Sequence, residues 1–460
     1  MRKFTFREIE KAVGGKQISG SPDTVVLGVS KDSREAYSGS LFFPLKGEKY
    51  DAHSFLPQVI QRGCRTFLIS DEEILNVLKD KEDLDIIKVK DTTAALQDMA
   101  GYYLKQMSLK KIAVTGSVGK TSTKDMIHCV CSSKYKTGKT KGNQNNHIGL
   151  PLGILSLDED TEAAVLEMGM DRPGEIDFLA DLVRPDIGVI TNIGISHKEN
   201  LGSREGIFRA KMELVNYFGR ENVLIINSGK DFLLKSNIEG EYRLLSAGTE
   251  KDDDFVVSDI WDKGEKGTEF FIKYRDEKQF FRLSVPGRHN AFNAALAAAC
   301  GMELGIDLKG SSEALLSLEI TEGRLTVKEK NGIKVIDDTY NASPDSMKAG
   351  IDTLNAVSSK RTIAILGDMF ELGDDADIHH RKIGEYAKNS GVDMVVAVGE
   401  MARHIAAGAA EKGHYYSNKE ALKKDINDIV KKGDAVLVKA SRGMEMEEIV
   451  KIIIDKQEKK

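Results

Sequence analysis

The run Val114-Thr115-Gly116-Ser117-Val118-Gly119-Lys120-Thr121-Ser122 constrains this chain more than any other stretch. A short apolar segment, 112–114, leads into it, and a helical pattern begins near Thr121. A strand, a glycine turn and a helix start, in that order, build a phosphate cradle. Glycines let backbone N–H groups converge on an anion, and the helix N-terminus adds partial positive charge. Lys120 is placed to reach terminal phosphates and the Thr121 hydroxyl to ligate magnesium. A full P-loop carries a further glycine where Val114 stands, so this is the shortened form Gly-x-x-Gly-Lys-Thr. The expectation is a nucleoside triphosphate site using Thr115, Gly116, Ser117, Val118, Gly119, Lys120, Thr121 and Ser122.

Composition narrows the remaining classes. A chain of 460 residues, 41% hydrophobic, suits two to four ordinary globular domains. A net charge of −6 gives no electrostatic reason to expect nucleic acid. No apolar run approaches the ~18 residues that span a bilayer, and the first residues lack a signal-like core. Cys64, Cys129, Cys131 and Cys300 show neither CxxC nor metal-ligand spacing, which suggests incidental thiols in a reducing cytoplasm.

Three blocks are expected, all α/β: a mixed α/β N-terminal domain over 1–108, a central P-loop-type parallel-sheet domain over 109–318, and a C-terminal Rossmann-like domain over 319–460. In the first, 25–29, 40–45 and 66–70 read as strands. In the second, apolar strands at 163–168, 187–191 and 223–227 alternate with helical stretches such as 205–218, the pattern of a parallel sheet covered on both faces. Segment 255–285 alternates apolar and charged residues around turns, predicting an antiparallel appendage, and an alanine-rich helix follows at 290–304. In the third, strands at 334–336, 362–366, 394–398 and 435–438 alternate with helices starting near Asp345, Ile378, Met401 and Lys419. That domain has no GxGxxG loop, so dinucleotide binding is not indicated.

Ligands of such sheets gather beyond the carboxyl ends of parallel strands. Glu167 stands there, a hard ligand suited to magnesium or a plain solvated carboxylate. His197 follows the strand ending near Asn192; it could complete a metal shell or simply start a helix. Lys211 reads as a solvated helix face. Asn290 and Asn293 share one helix face and could read an adenine edge, with capping as the competing role of Asn290. Asp337-Asp338-Thr339-Tyr340-Asn341-Ala342-Ser343-Pro344-Asp345 carries more carboxylate than a strand-to-helix turn requires.

Together these segments resemble the Mur ligase family of peptidoglycan precursor synthesis along essentially the whole chain. The markers are Thr115 to Thr121, Gly142-Asn143-Gln144-Asn145-Asn146-His147-Ile148-Gly149, Leu166-Glu167-Met168-Gly169, Gly287-Arg288-His289-Asn290-Ala291-Phe292-Asn293 and Leu366-Gly367-Asp368-Met369-Phe370-Glu371-Leu372-Gly373. Tyr340-Asn341-Ala342-Ser343-Pro344 is similar to the motif of the D-Ala-D-Ala-adding members, with Ser343 replacing an asparagine. Asp32-Ser33-Arg34 and Leu41 to Gly47 resemble the family's UDP-sugar-binding domain.

The resemblance implies an ATP-dependent carboxylate–amine ligase, a monomer in the cytoplasm, with UDP-N-acetylmuramoyl-tripeptide and D-Ala-D-Ala as substrates and Mg2+ as cofactor. It implies phosphate contacts for Lys120 and Thr121, and magnesium ligation by Thr121, Glu167 and His197. Lys211 matches a lysine that family members carbamylate, which reverses its reading as a solvated face. Adenine contacts fall to Asn290 and Asn293, and ribose and phosphate contacts to Arg324 and Asp338. Substrate contacts fall to Ser33, Arg34, Lys46, Asn145, Asn146, Tyr340 and Asn341. His380 sits in a family motif that carries no assigned role. Departures occur at Ser228-Gly229-Lys230-Asp231 and at Lys439-Ala440-Ser441-Arg442-Gly443. A regulatory nucleotide-binding module, the alternative class, gives no reason for Glu167, His197 and Lys211 to occur together.

Overall fold

A computed structural model describes residues 2–47, 50–79, 81, 83–195, 198–228, 231–319 and 321–455. The chain divides into two compact units. The first comprises Met1–Ile112, Tyr135–Gly169 and Asp177–Pro185; the second comprises Ala113–Lys134, Met170–Ile176 and Asp186–Lys460. Among the described residues, no helix is long and apolar enough to cross a membrane.

The first unit carries a five-stranded sheet in the order Lys16–Ser19, Asp85–Lys88, Thr66–Ile69, Ser40–Phe42, Gly28–Ser30. Its pairs are parallel except the first. Phe42, Phe67, Ile69 and Ile86 pack on one side with Leu56, Val59 and Leu75. The strand expected over 40–45 stops at Phe42, since Pro44 has no N–H and Leu45 turns its own onto Phe43 O at 2.9 Å. The strand expected over 25–29 is two: Val25–Val26 pairs antiparallel with Phe4–Thr5, and Gly28–Ser30 pairs parallel with Ser40–Phe42. Between them Leu27 N turns to Gly39 O at 2.8 Å, so the chain changes partner there.

In the second unit, Phe255–Asp262, Thr268–Tyr274 and Glu277–Leu283 form the expected antiparallel ribbon. The ribbon continues into parallel strands Arg243–Gly248, Val223–Asn227 and Ile187–Ile190, and then the strand that enters the phosphate loop. The helix expected over 205–218 is shorter, Arg204–Met212. Past Met212 the bonds tighten to i→i+3, Asn216 N to Glu213 O and Phe218 N to Val215 O, and a 3-10 turn replaces the α-helix.

A second sheet in this unit runs Thr326–Lys330, Ile333–Asp338, Asp434–Lys439, Arg361–Gly367, Met394–Val398, Gly413–Tyr416, parallel but for its first pair. Side chains alternate across it, as strand geometry dictates. Ile363 and Ile365 join Val436, Val438, Leu422 and Ile449 on one face, while Ala364 and Leu366 join Leu437, Ile351 and Ile383 on the other. Both faces are therefore covered, the condition under which an all-apolar strand is stable.

Candidate functional site

The strand Lys110–Thr115 delivers the chain to Gly116, whose φ is 150° and where an added Cβ would lie 1.9 Å from Thr191 Oγ1. Gly119, at φ 83°, turns the chain into the helix Lys120–Ser132. No side chain caps that helix start, so its first-turn N–H groups remain suited to an anion.

The loop is shaped by residues just past the neighbouring strand Ile187–Ile190. Asn192 Oδ1 accepts from Ser117 N at 3.0 Å and Val118 N at 2.8 Å. The Thr191 hydroxyl donates to Val118 O at 2.5 Å, and Gly194 N donates to Ser117 Oγ at 2.9 Å. Sequence reasoning passed over Thr191 and Asn192 for His197, although two polar residues directly after an apolar strand were the signal. Asn192→Ala would leave Val118 N without its acceptor, while Ser117 N keeps the Asn192 backbone carbonyl at 3.1 Å. It should lower unfolding free energy by about 1–3 kcal/mol in urea titrations and raise the KM for ATP.

Lys120 Nζ donates to Gly116 O at 2.8 Å, folding over its own loop. Lys211 is not on a solvated face: it is 2% exposed, and burial first, then the charge of Lys120, holds its amine well below the usual lysine range. Asn290 is inside the helix His289–Glu303 rather than capping it. Asn290 Nδ2 donates to Pro286 O at 2.7 Å, and Asn293 Nδ2 donates to Asn290 Oδ1 at 3.1 Å. Asn293 Oδ1 lies 3.2 Å from where a Gly119 Cβ would stand, so this asparagine pair abuts the phosphate loop.

Arg324 reaches the same loop, with Nη2 donating to Thr121 Oγ1 at 3.0 Å and its guanidinium 4.0 Å from the centre of the Tyr340 ring. Asp338 and Lys439 end two adjacent parallel strands in register. Lys439 Nζ donates to Asp338 Oδ2 at 2.5 Å and to Asn341 O at 2.8 Å. Burial pulls the Lys439 amine down, and a buried charge is held by such a partner. Lys439 was not among the expected site residues; its register opposite Asp338 is visible only once the strand order is known.

The unusual Ser343 caps the helix Pro344–Ala356 and shares a reciprocal capping box with Ser346. Serine and asparagine are near-equal caps, which explains the exchange. Asn341 Oδ1 accepts from Ala342 N at 2.9 Å. His380 is fully buried; Nε2 accepts from Met369 N at 2.9 Å and Nδ1 contacts Ala376 O at 2.6 Å. Burial pulls its pKa down, so a neutral His380 braces the segment Leu366 to Gly373 from within the domain.

In the first unit, Asn145 Nδ2 donates to Glu167 Oε1 at 3.0 Å, and Glu167 N donates to Thr140 Oγ1 at 3.0 Å. Asn146 Oδ1 accepts from Gly149 N at 2.8 Å, closing the turn before the helix Gly149–Leu155. Ser33 is half-buried, and Arg34 is exposed and bound to Asp32, whose carboxyl that guanidinium holds down at about 2. Lys46 is exposed, in an isolated bridge with Asp51. Two groups thus emerge, Asn145 with Glu167 in the first unit and the phosphate loop with Lys211, Asn293 and Arg324 in the second. Ser33, Arg34 and Lys46 stand in a separate part of the first unit. His197 lies outside the described residues, as do Gly229 and Lys230. All four cysteines are free thiols, three of them buried.

Comparison with known proteins shows the family. The Mur ligase middle domain matches residues 114–301, and the Mur ligase glutamate ligase domain matches 323–442. UDP-N-acetylmuramoyl-tripeptide–D-alanyl-D-alanine ligase of Bacillus subtilis is 41% identical, over 99% of each chain. Crystal structure I of MurF from Acinetobacter baumannii superposes with a TM-score of 0.90 at 30% identity, covering 99% of this chain and 100% of that one. MurF ligase from Thermotoga maritima in complex with ADP gives 0.81 at 30% identity, covering 92% and 96%. With relatives of this identity matched end to end, this chain belongs to the Mur ligase family.

Proposed function

We propose that this chain is an ATP-dependent ligase that joins D-Ala-D-Ala to the terminal carboxylate of UDP-N-acetylmuramoyl-tripeptide, acting as a monomer in the cytoplasm. The carrying observation is the 41% identity, along the full chain, to a relative named for that reaction, together with the phosphate loop. In this reading residues 1–108 bind the UDP-linked substrate, 109–318 bind ATP, and 319–460 carry the incoming dipeptide.

A carboxylate is a poor electrophile, because its charge repels nucleophiles. Phosphoryl transfer from ATP would convert it to an acyl phosphate and release ADP. The dipeptide ammonium gives one proton to solvent, the free amine attacks the acyl carbon, the bond from that carbon to the phosphate oxygen breaks, and phosphate leaves with the second proton. The protein's work is positioning and charge neutralisation. Lys120 and the first-turn N–H groups would hold the terminal phosphates, and Arg324 would add a cation from the other side. The Thr121 hydroxyl at the loop supplies a hard oxygen, the donor chemistry that Mg2+ takes alongside phosphate oxygens and water. Bound there, Mg2+ would offset phosphate charge. An acyl phosphate hydrolyses, so water must be kept out during the reaction.

The test is to supply ATP and the UDP-muramoyl-tripeptide with and without D-Ala-D-Ala. Amide product and ADP should accumulate together only when the dipeptide is present. ADP release indifferent to it would reject this function.

A further inference from the structure

We infer that the carboxylate of Asp345 receives the ammonium group of the incoming dipeptide beside the phosphate loop; this rests on the ligase reading above and names the residue that selects a cationic amine. Asp345 is exposed, in the first turn of the helix Pro344–Ala356. An acidic residue there complements the helix dipole, and that role alone needs no neighbour. Its placement adds more. A Cβ on Gly194 would meet Asp345 Oδ2 at 2.8 Å and Ser117 Cβ at 3.1 Å. The carboxylate and a residue of the phosphate loop therefore approach the same point over a glycine backbone.

A fixed anion beside an anion-binding loop opposes triphosphate binding unless a cation comes between them. Among the described residues, Asp345 makes no hydrogen bond or ion pair, although Lys198 close by is paired with Asp375. Its charge is felt at His379, where Lys198, Lys382 and Asp375 also act. That neighbourhood carries one available carboxylate together with several cationic groups. A zwitterionic dipeptide matches it, with ammonium on Asp345 and its own carboxylate toward Lys198 and Lys382. A divalent cation fits worse, since those lysines repel it and no group of three or more His, Cys, Asp or Glu side chains that could hold a metal occurs among the described residues.

The experiment compares wild type, Asp345→Asn and Asp345→Glu with D-Ala-D-Ala and, separately, with hydroxylamine, an uncharged nucleophile at neutral pH that traps the acyl phosphate as a hydroxamate. Losing a hydrogen bond between opposite charges should raise the KM for the dipeptide by about 10- to 100-fold in Asp345→Asn. The KM for ATP and the rate of hydroxamate formation should stay within about twofold of wild type, and Asp345→Glu should recover part of the loss. An unchanged dipeptide KM, or an equal rise in the KM for ATP, overturns the inference. A fall in thermal stability with kinetics intact assigns Asp345 to the helix start alone and also overturns it. Wild-type amide formation in the same assay keeps the two claims apart, because its absence counts against the ligase reading and its presence leaves Asp345 as the only question.

Discussion

Lys120→Ala should lower kcat for amide formation by about a thousandfold while the thermal midpoint stays near that of wild type. Lys120 Nζ donates to Gly116 O within its own loop, a single side-chain bond beside the backbone frame that shapes it. That frame depends on the bonds from Thr191 and Asn192 and on the backbone turns at Gly116 and Gly119, and these do not run through the Lys120 side chain. On the proposed function, what disappears is a cation aimed where charge would develop during phosphoryl transfer, and losing one such donor in a water-poor site commonly costs about 100- to 1,000-fold. Steady-state kinetics with saturating substrates, beside a melting curve, checks both halves. A small kcat loss would move the work of charge neutralisation to Arg324.

Lys211→Ala is expected to cost about 100-fold or more in kcat, with partial recovery on adding a short carboxylate such as acetate. The amine is buried next to Lys120, and that environment disfavours its ammonium form. A neutral amine can add to CO2: the nitrogen lone pair bonds to carbon, one N–H proton leaves to solvent, and a carbamate results. The new negative charge then attracts Lys120 where an ammonium repelled it. The sign of the pH effect follows from the lowered pKa. Neutral amine persists above the folded pKa and is lost as pH falls through it. Bicarbonate should therefore activate CO2-depleted wild type at neutral and higher pH, progressively less in acid, and should not activate Lys211→Ala. Activation of the variant by bicarbonate would remove Lys211 as the acceptor.

Much of this architecture was legible because its central strands are apolar on both faces. The strand at 187–190, for example, contains no side chain that prefers water, and burial is its only stable outcome. The edge strands of the last sheet were not legible. Thr326–Lys330 alternates with lysine and glutamate at the sheet margin, and its polar residues read as a loop until the pairing with Ile333–Asp338 is seen. Gly413–Tyr416 escaped for the same reason.

The site divides in the same way. The phosphate loop is local in sequence, so its residues could be named in advance. Asn192 and Lys439 act on residues distant along the chain, Asn192 on Ser117 and Lys439 on Asp338; the polar pair after an apolar strand hinted at Asn192, whereas only the strand order reveals Lys439. The burial of Lys211 is likewise a tertiary fact: Arg204–Met212 carries charges at Arg204, Glu205 and Arg209, and nothing local marks Lys211 as the one turned inward.

The central claim is that the tripeptide carboxylate is phosphorylated before the dipeptide attacks. Its most direct test is to label the terminal carboxylate of the UDP-muramoyl-tripeptide with 18O, run the reaction with ATP and D-Ala-D-Ala, and weigh the released phosphate. The account predicts one 18O atom carried from the carboxylate into each phosphate formed. Phosphate free of label, alongside normal amide yield, would contradict it.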